Sequence, residues 1–293
     1  MKYITLNEFS KTIRDNIWRI PHDIDFVIGI PRSGTIAASI ISEYLNKPLI
    51  DINSFCTGAK PTGGGRLRYV KKEEKEGEKL KVLVVDDTVF TGLSKKKARA
   101  QLEQFNDTHE FIFLAIYLEG PAKDSVDIYF EDLRSYTENY KQAVLYEWNI
   151  FHHNESMMKA CIYDIDGVLC LDPPDERSGE PYIEYIKNAT PLFTPTTTIG
   201  AIMTYRLTIY REITEKWLAD NGIKYDRLLM FKAKSWDERN ESGVSPEAMK
   251  GGYYKQAAWA KLFVESNDYQ AQRIFQISGK PVFCVETNKL YSA

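Results

Sequence analysis

The chain has 293 residues, 43% of them hydrophobic and 27% charged, with a net charge of -3. This length accommodates one large domain or two ordinary ones, and the balance is that of a soluble globular protein. A slightly acidic chain is not built mainly to coat nucleic acid or an anionic membrane. The N-terminal stretch MKYITLNEFSKTIRDNIW carries charges throughout and lacks the apolar core of a secretion signal. No run reaches membrane-spanning length, so a cytoplasmic protein without a transmembrane segment is expected. The cysteines Cys56, Cys161, Cys170 and Cys284 form no C-x-x-C pair and no zinc spacing. Cys161 and Cys284 lie in apolar runs, which suits buried thiols in a reducing compartment.

Short β-branched runs alternate with helical patterns, which predicts an α/β protein of two domains, each a mostly parallel sheet flanked by helices. DFVIGI (25–30) reads as a strand, followed by PRSG and the helical TIAASIISEYLNK. A Gly- and Lys-rich stretch covers 57–79, and its charge run KKEEKEGEK reads as a solvated loop. KVLVVDD (81–87) is a buried-strand pattern with TVFTG and a basic helix after it, and EFIFLAIYL (110–118) is another strand. After YEWNIFHHNES (146–156) the pattern restarts with KACIYDID (159–166), TIGAIMT (198–204), LLMF (228–231), KLFVES (261–266) and KPVFCVE (280–286). Two successive series predict domains of 1–156 and 157–293.

Asp86 and Asp87 end the strand at 81–87, and Thr88-Val89-Phe90-Thr91-Gly92 opens the next helix. Backbone N–H groups at a helix N-terminus favour a phosphate. Thr88 and Thr91 add hydroxyl donors, and Gly92 lets the backbone approach closely. Two carboxylates beside these donors can accept hydrogen bonds from a vicinal diol, so the set describes a pentose 5-phosphate. The plainer alternative is an acidic strand end with a helix cap. VLVVDDTVFTGLS (82–94) resembles the signature of type I phosphoribosyltransferases, with strand, acids and threonine–glycine loop in register. The resemblance implies binding of phosphoribosyl pyrophosphate (PRPP) with Mg2+. It also implies that GIPRSG (29–34), through Arg32, Ser33 and Gly34, holds the pyrophosphate. A loop that closes over the reacting centre is implied at 57–79, with Arg66, Arg68 or Lys72 as cations for the leaving group.

CIYDIDGVLC (161–170) places Asp164 and Asp166 where a strand breaks into a glycine turn, so both can face one site. One carboxylate can attack phosphorus while the other moves a proton. D-x-D-G-V resembles the first motif of the haloacid dehalogenase (HAD) superfamily, in the form that its phosphatases carry. The resemblance implies Thr204, at the end of IMT, as a phosphate-binding residue and Lys255 as the phosphate-neutralising lysine, with Lys232 and Lys234 as rivals. Glu265 and Asp268 are implied to join Asp164 and Asp166 around a second Mg2+. Tyr205 departs from the small residue usual there. The spacers 170–198 and 206–254 are short for a full cap, so the site is either open or covered by the first domain.

A domain that leaves a 5-phosphoribosyl group beside one that removes phosphate suggests two steps in sequence. The pairing resembles dual-domain ribofuranosyltransferases of bacterial polysaccharide biosynthesis, which implies a glycan or lipid-linked glycan as acceptor. The alternatives are a nucleobase phosphoribosyltransferase coupled to a nucleotide phosphatase, with residues 129–146 as an aromatic hood, and a PRPP- or nucleotide-sensing regulator. No stable nucleic-acid partner is expected, and the oligomeric state is left open. His152-His153 reads as a structural joint rather than a metal site.

Overall fold

A computed structural model describes residues 1–63, 78–139, 143–173 and 178–292. The chain divides into two compact units, Lys2–Trp148 and Asn149–Ala293.

In chain order the first unit contains β1 (Lys2–Ile4), α1 (Leu6–Asn16), β2 (Phe26–Gly29), α2 (Ser33–Leu45), β3 (Leu49–Asp51) and α3 (Ile52–Cys56). It continues with β4 (Leu80–Val89), α4 (Leu93–Leu102), β5 (His109–Leu118), β6 (Ile128–Asp132) and β7 (Val144–Tyr146). Five strands form a sheet in the order β3-β2-β4-β5-β6, and every neighbouring pair is parallel. β4 and β5 are nearly unbroken apolar runs, as strands covered on both faces require. Alternate side chains feed two cores. Leu83, Val85, Leu114 and Ile116 meet Phe9 and Ile13 of α1 and Ala37, Ala38 and Ile41 of α2. Val82, Val84, Phe113 and Ala115 meet Ile52 and Phe55 of α3 and Ala98 and Leu102 of α4. β1 and β7 pair separately as a two-stranded parallel ribbon. β1, β3 and β7 have three residues each. That is too short to show a period in sequence, and only their pairing partners define them.

The second unit contains α5 (Glu155–Lys159), β8 (Cys161–Tyr163), α6 (Gly179–Asn188), β9 (Ala201–Leu207), α7 (Arg211–Asp220), β10 (Leu228–Phe231) and α8 (Trp236–Glu241). α9 (Pro246–Gln256), β11 (Leu262–Glu265), α10 (Asp268–Ser278), β12 (Val282–Cys284) and β13 (Lys289–Tyr291) complete it. Its sheet has the order β10-β9-β8-β11-β12-β13, parallel except for the antiparallel β12–β13 pair. α9 begins with Ser245 as its cap and Pro246 in the first turn, the arrangement that a missing N–H favours. α9 and α10 cover one face through Tyr254, Ala257, Ala271 and Ile274. α6 packs Tyr182 and Ile186 against Leu207, Tyr210 and Phe231. Among the described residues, no helix is long and apolar enough to cross a membrane.

Residues 149–156, grouped by sequence with the first series, belong to the second unit. The Tyr163 hydroxyl donates to the Ile150 carbonyl at 3.1 Å, and Phe151 stacks on Phe193 with ring centroids 4.0 Å apart. A chain starting at residue 157 is therefore expected to be about 2–5 kcal/mol less stable than one starting at 149, because it loses the buried Ile150 and the ring stack. Urea unfolding of the two fragments measures this.

Candidate functional site

In the first sheet the strand order reverses between β2 and β4. Segments leaving the carboxyl ends of these strands diverge and open a crevice, the usual ligand position in such sheets. Residues 30–32 lead from β2 into α2, and residues 90–92 lead from β4 into α4. Gly34 lies in the first turn of α2 against the end of β4. A Cβ there would fall 2.8 Å from the Val85 carbonyl oxygen and 2.9 Å from Asp86 Oδ1, so only glycine lets the helix approach this closely. The Pro31–Arg32 peptide is cis, and Arg32 is exposed at the helix cap. Gly92 caps α4 with φ +72°, a left-handed conformation that favours glycine. The Thr91 hydroxyl accepts from the Leu93 N–H at 3.4 Å. The first N–H groups of α4 therefore gather beside a threonine hydroxyl.

Asp86 and Asp87 are both buried. As strand neighbours they point to opposite faces of the sheet. Asp86 turns toward α4, where Lys95 Nζ lies 2.9 Å from its Oδ2. Asp87 turns the other way, and the Trp148 indole N–H donates to its Oδ2 at 3.0 Å. Burial pushes Asp87 up to about 7, and the neighbouring Asp86 charge adds to the effect. Burial lowers Lys95, although Asp86 pulls it back upward. The Trp148 ring packs on Tyr146 at 4.8 Å and on Phe9 at 4.5 Å between centroids. The Tyr146 hydroxyl donates to Glu119, whose carboxyl is raised by burial.

The second sheet repeats the device. β8 lies between β9 and β11, so Asp164, directly after β8, stands at the reversal. Its Oδ2 accepts from Lys250 Nζ at 2.6 Å, and the same ammonium donates to Glu265 Oε2 at 2.7 Å and Gln270 Oε1 at 3.2 Å. Two buried carboxylates thus share one ammonium. Burial pushes Asp164 up to about 8, Lys250 offsets part of this, and Glu265 and Asp166 add to it. Burial alone would lower Lys250, but the two carboxylates outweigh it and hold the ammonium up. Asp166 accepts from Arg206 Nε at 3.1 Å and Nη2 at 2.5 Å, and from the Tyr185 hydroxyl at 2.8 Å. Asp164, Asp166, Thr204, Tyr205, Lys250 and Asn267 line a single cavity of about 450 Å³, to which Asp172 and Glu286 add further carboxylates.

The phosphoribosyl transferase domain family matches residues 3–150. The chain belongs to the phosphoribosyltransferase family. The match falls on the first unit, and PRPP with Mg2+ is the substrate chemistry of that family. No curated protein matches the chain. Among solved structures it is similar to the purine phosphoribosyltransferase of Pyrococcus horikoshii Ot3, with 18% identity over 50% of this chain and 92% of that one and a TM-score of 0.35. It is also similar to the xanthine-guanine-hypoxanthine phosphoribosyltransferase of Helicobacter pylori, with 15% identity over 51% and 93% of the two chains and a TM-score of 0.37. For the orotate phosphoribosyltransferase of Aeropyrum pernix, identity is 20% over 46% and 76%, with a TM-score of 0.32.

Within the phosphoribosyltransferase unit, Arg32, Ser33 and Gly34 lie at one crevice loop, and Asp86, Asp87, Thr91 and Gly92 lie at the other. The strand runs two residues further than its sequence pattern suggests, so Thr88 and Val89 belong to β4 and the loop is 90–92. The Val89 side chain is in the core and its carbonyl accepts from Glu119 and Gly120, so neither is free to face a ligand. Phe90 is exposed. Arg66, with Arg68 and Lys72, lies outside the described residues. Lys95 and Trp148 were not singled out in sequence. Lys95 had one legible signal, a place in the buried stripe Lys95-Ala98-Leu102 of a basic helix.

In the second unit, Asp164, Asp166 and Thr204 share the cavity, but Lys255 is corrected to Lys250. Lys255 is exposed, on a different side of α9 from Lys250. Lys232 and Lys234 are exposed as well. Asp268 is also corrected: its carboxylate accepts from Thr287 at 2.9 Å and Tyr291 at 2.6 Å, away from the cavity lining. Glu265 is buried behind the cavity on Lys250. Among the described residues, no group of three or more His, Cys, Asp or Glu side chains is placed to hold a metal ion.

The Asp87 carboxyl, near 7 in the fold against an ordinary 3.8, binds its proton more tightly in the folded than in the unfolded chain. Its stabilising contribution is present at low pH and lost as pH rises through about 7. The urea midpoint of the first unit should therefore fall between pH 5 and pH 8, and Asp87→Asn should flatten that fall.

Proposed function

We propose that the chain transfers 5-phosphoribose from PRPP to a glycan or lipid-linked glycan and then removes the 5-phosphate, leaving a ribofuranosyl group. The observation that carries this reading is a pairing. One chain joins a phosphoribosyltransferase unit to a unit in which Asp164, Asp166, Thr204 and Lys250 surround one cavity. The latter set supports the resemblance to HAD phosphatases that the motif order suggests.

In the first step the bond between C1 of PRPP and the pyrophosphate oxygen breaks, and the acceptor hydroxyl bonds to C1 and gives its proton to the departing pyrophosphate. Charge develops on the departing pyrophosphate, which the amides around 30–34 and Arg32 are placed to bind. Asp86 and Asp87 hold the ribose diol. In the second step Asp164 attacks phosphorus, and the 5-oxygen leaves with a proton given by Asp166. Water then opens the aspartyl phosphate and gives its proton to Asp166, which Arg206 and Tyr185 hold in the same cavity as Asp164. Lys250 aims Asp164, and Thr204 binds a phosphate oxygen. The cavity lining carries Asp164, Asp166, Asp172 and Glu286 against two cations, Lys250 on Asp164 and Arg206 on Asp166. This excess of carboxylate fits Mg2+ held by Asp164 and Asp166 with water, and the ion would neutralise the incoming phosphate. Between Cys170 and β9, the described residues contain one helix, α6, packed on the body of the unit, which suits phosphate on a bulky acceptor.

A nucleobase acceptor is the second reading, favoured by the Trp148 ring beside Asp87. Incubation with PRPP, Mg2+ and candidate acceptors, followed by mass spectrometry, separates the readings. The intact protein should yield a ribosylated glycan, and Asp164→Asn a phosphoribosylated one. Consumption of a free base instead would establish salvage, and the absence of pyrophosphate release with every acceptor would leave a PRPP sensor. Phosphate release should fall by about 100-fold or more in Lys250→Met. It should be unchanged in Lys255→Ala, and equal losses in the two variants would refute the assignment of Lys250.

A further inference from the structure

We propose that Lys95 and Trp148 are positioning residues of the phosphoribosyl site, fixing the carboxylates of Asp86 and Asp87 on the opposite faces to which the strand directs them and thereby setting how the pair meets the ribose diol. The proposal rests on the reading of residues 82–94 as the PRPP site.

Lys95 occupies the buried stripe of α4 with Ala98 and Leu102, a place where an apolar side chain is ordinary. Its side chain is 0% exposed, and a buried ammonium needs a counter-charge. Asp86 Oδ2 supplies it at 2.9 Å. Arg99, one turn further along, instead lies over the Phe113 ring at 3.9 Å and 3.4 Å from Asp127, on a different partner set. The other Asp86 oxygen accepts from the Asp87 N–H at 3.1 Å and lies close to Gly34. Asp86 is thus located from three sides, by α4, by its own strand and by the first turn of α2.

Asp87 is held from the opposite face by the Trp148 indole at 3.0 Å. Trp148 is itself wedged between Phe9 and Tyr146. Neighbouring strand residues diverge, so an acid pair in continuous strand does not converge on one diol by backbone geometry alone. The two anchors take one oxygen of each carboxylate and fix the rotation about its Cβ–Cγ bond. Asp86 Oδ1, which also accepts from the Asp87 N–H, and the second Asp87 oxygen then have a defined direction at the strand end, where the diol arrives.

The test measures binding of PRPP, ribose 5-phosphate and inorganic pyrophosphate, each with Mg2+, by calorimetry on the full chain. Lys95→Met should weaken PRPP and ribose 5-phosphate by about 10- to 100-fold, the scale of leaving a buried carboxylate without its counter-charge, and leave pyrophosphate unchanged. Trp148→Phe keeps an aromatic ring between Phe9 and Tyr146 but removes the pyrrole portion with its N–H. It should weaken the same two ligands by about three- to tenfold and guards against a Lys95 variant that does not fold. Lys95→Arg should recover part of the loss. Wild-type affinity for ribose 5-phosphate in both variants would overturn the proposal, as would equal weakening of all three ligands, which marks a general structural role. Wild-type protein that binds neither PRPP nor ribose 5-phosphate would overturn the site reading itself.

Discussion

A carboxylate buried at the end of a parallel strand must meet a cation or a strong donor, because burial otherwise favours its neutral form. Both units are arranged around that requirement. Lys95 and Trp148 answer Asp86 and Asp87 in the first, and Lys250 and Arg206 answer Asp164 and Asp166 in the second. The compensation is incomplete in each. Asp87 is pushed up to about 7 and Asp164 to about 8, since burial exceeds what the partners return. A site left with such a deficit is suited to a ligand that brings charge or hydrogen bonds of its own.

The sheet topology explains why these acids lie where they do. In each unit the strand order reverses beside the strand that bears the acids, and the connecting segments splay apart at its carboxyl end. The two sites differ in how the acids leave the strand. β4 runs on through Asp86 and Asp87 to Val89, so the pair is divided between faces. β8 ends at Tyr163, before Asp164, so the turn brings Asp164 and Asp166 to one cavity. The divided pair therefore has an anchor on each face, whereas Asp164 and Asp166 are brought together by a single turn.

Much of the central architecture was legible. β2, β4, β5, β8, β9, β10, β11 and β12 appear as apolar runs because a strand covered on both faces must be apolar along its length. The edge strand β3 and the ribbon strands β1 and β7, none of them in the interior of a sheet, leave no such trace. Among site residues, Asp86, Asp87, Asp164 and Asp166 announce themselves by placing charge directly after an apolar strand. Lysines do not. Lys250 and Lys255 lie five positions apart, about 140° around a helix, and both follow a basic-aromatic pattern that favours neither. Lys250 is chosen by α9 packing against α10, where Gly251 lies close to Ile277 and turns that side of the helix inward. Asp268 failed for a related reason, since β13 brings Tyr291 to its carboxylate from beyond the motif.

The sequence by itself determined the class of the fold, the membership of its first half in the phosphoribosyltransferase family and the acids at the strand ends, because these depend on local pattern: apolar period, glycine turns and charge in register. Only the tertiary structure decided which cation meets which acid, where the first unit ends and how each acid pair is oriented. Those depend on residues far apart in the chain, such as Asp87 with Trp148 and Asp164 with Lys250. The sheet and its covering helices bring such pairs together, and no local pattern encodes that distance.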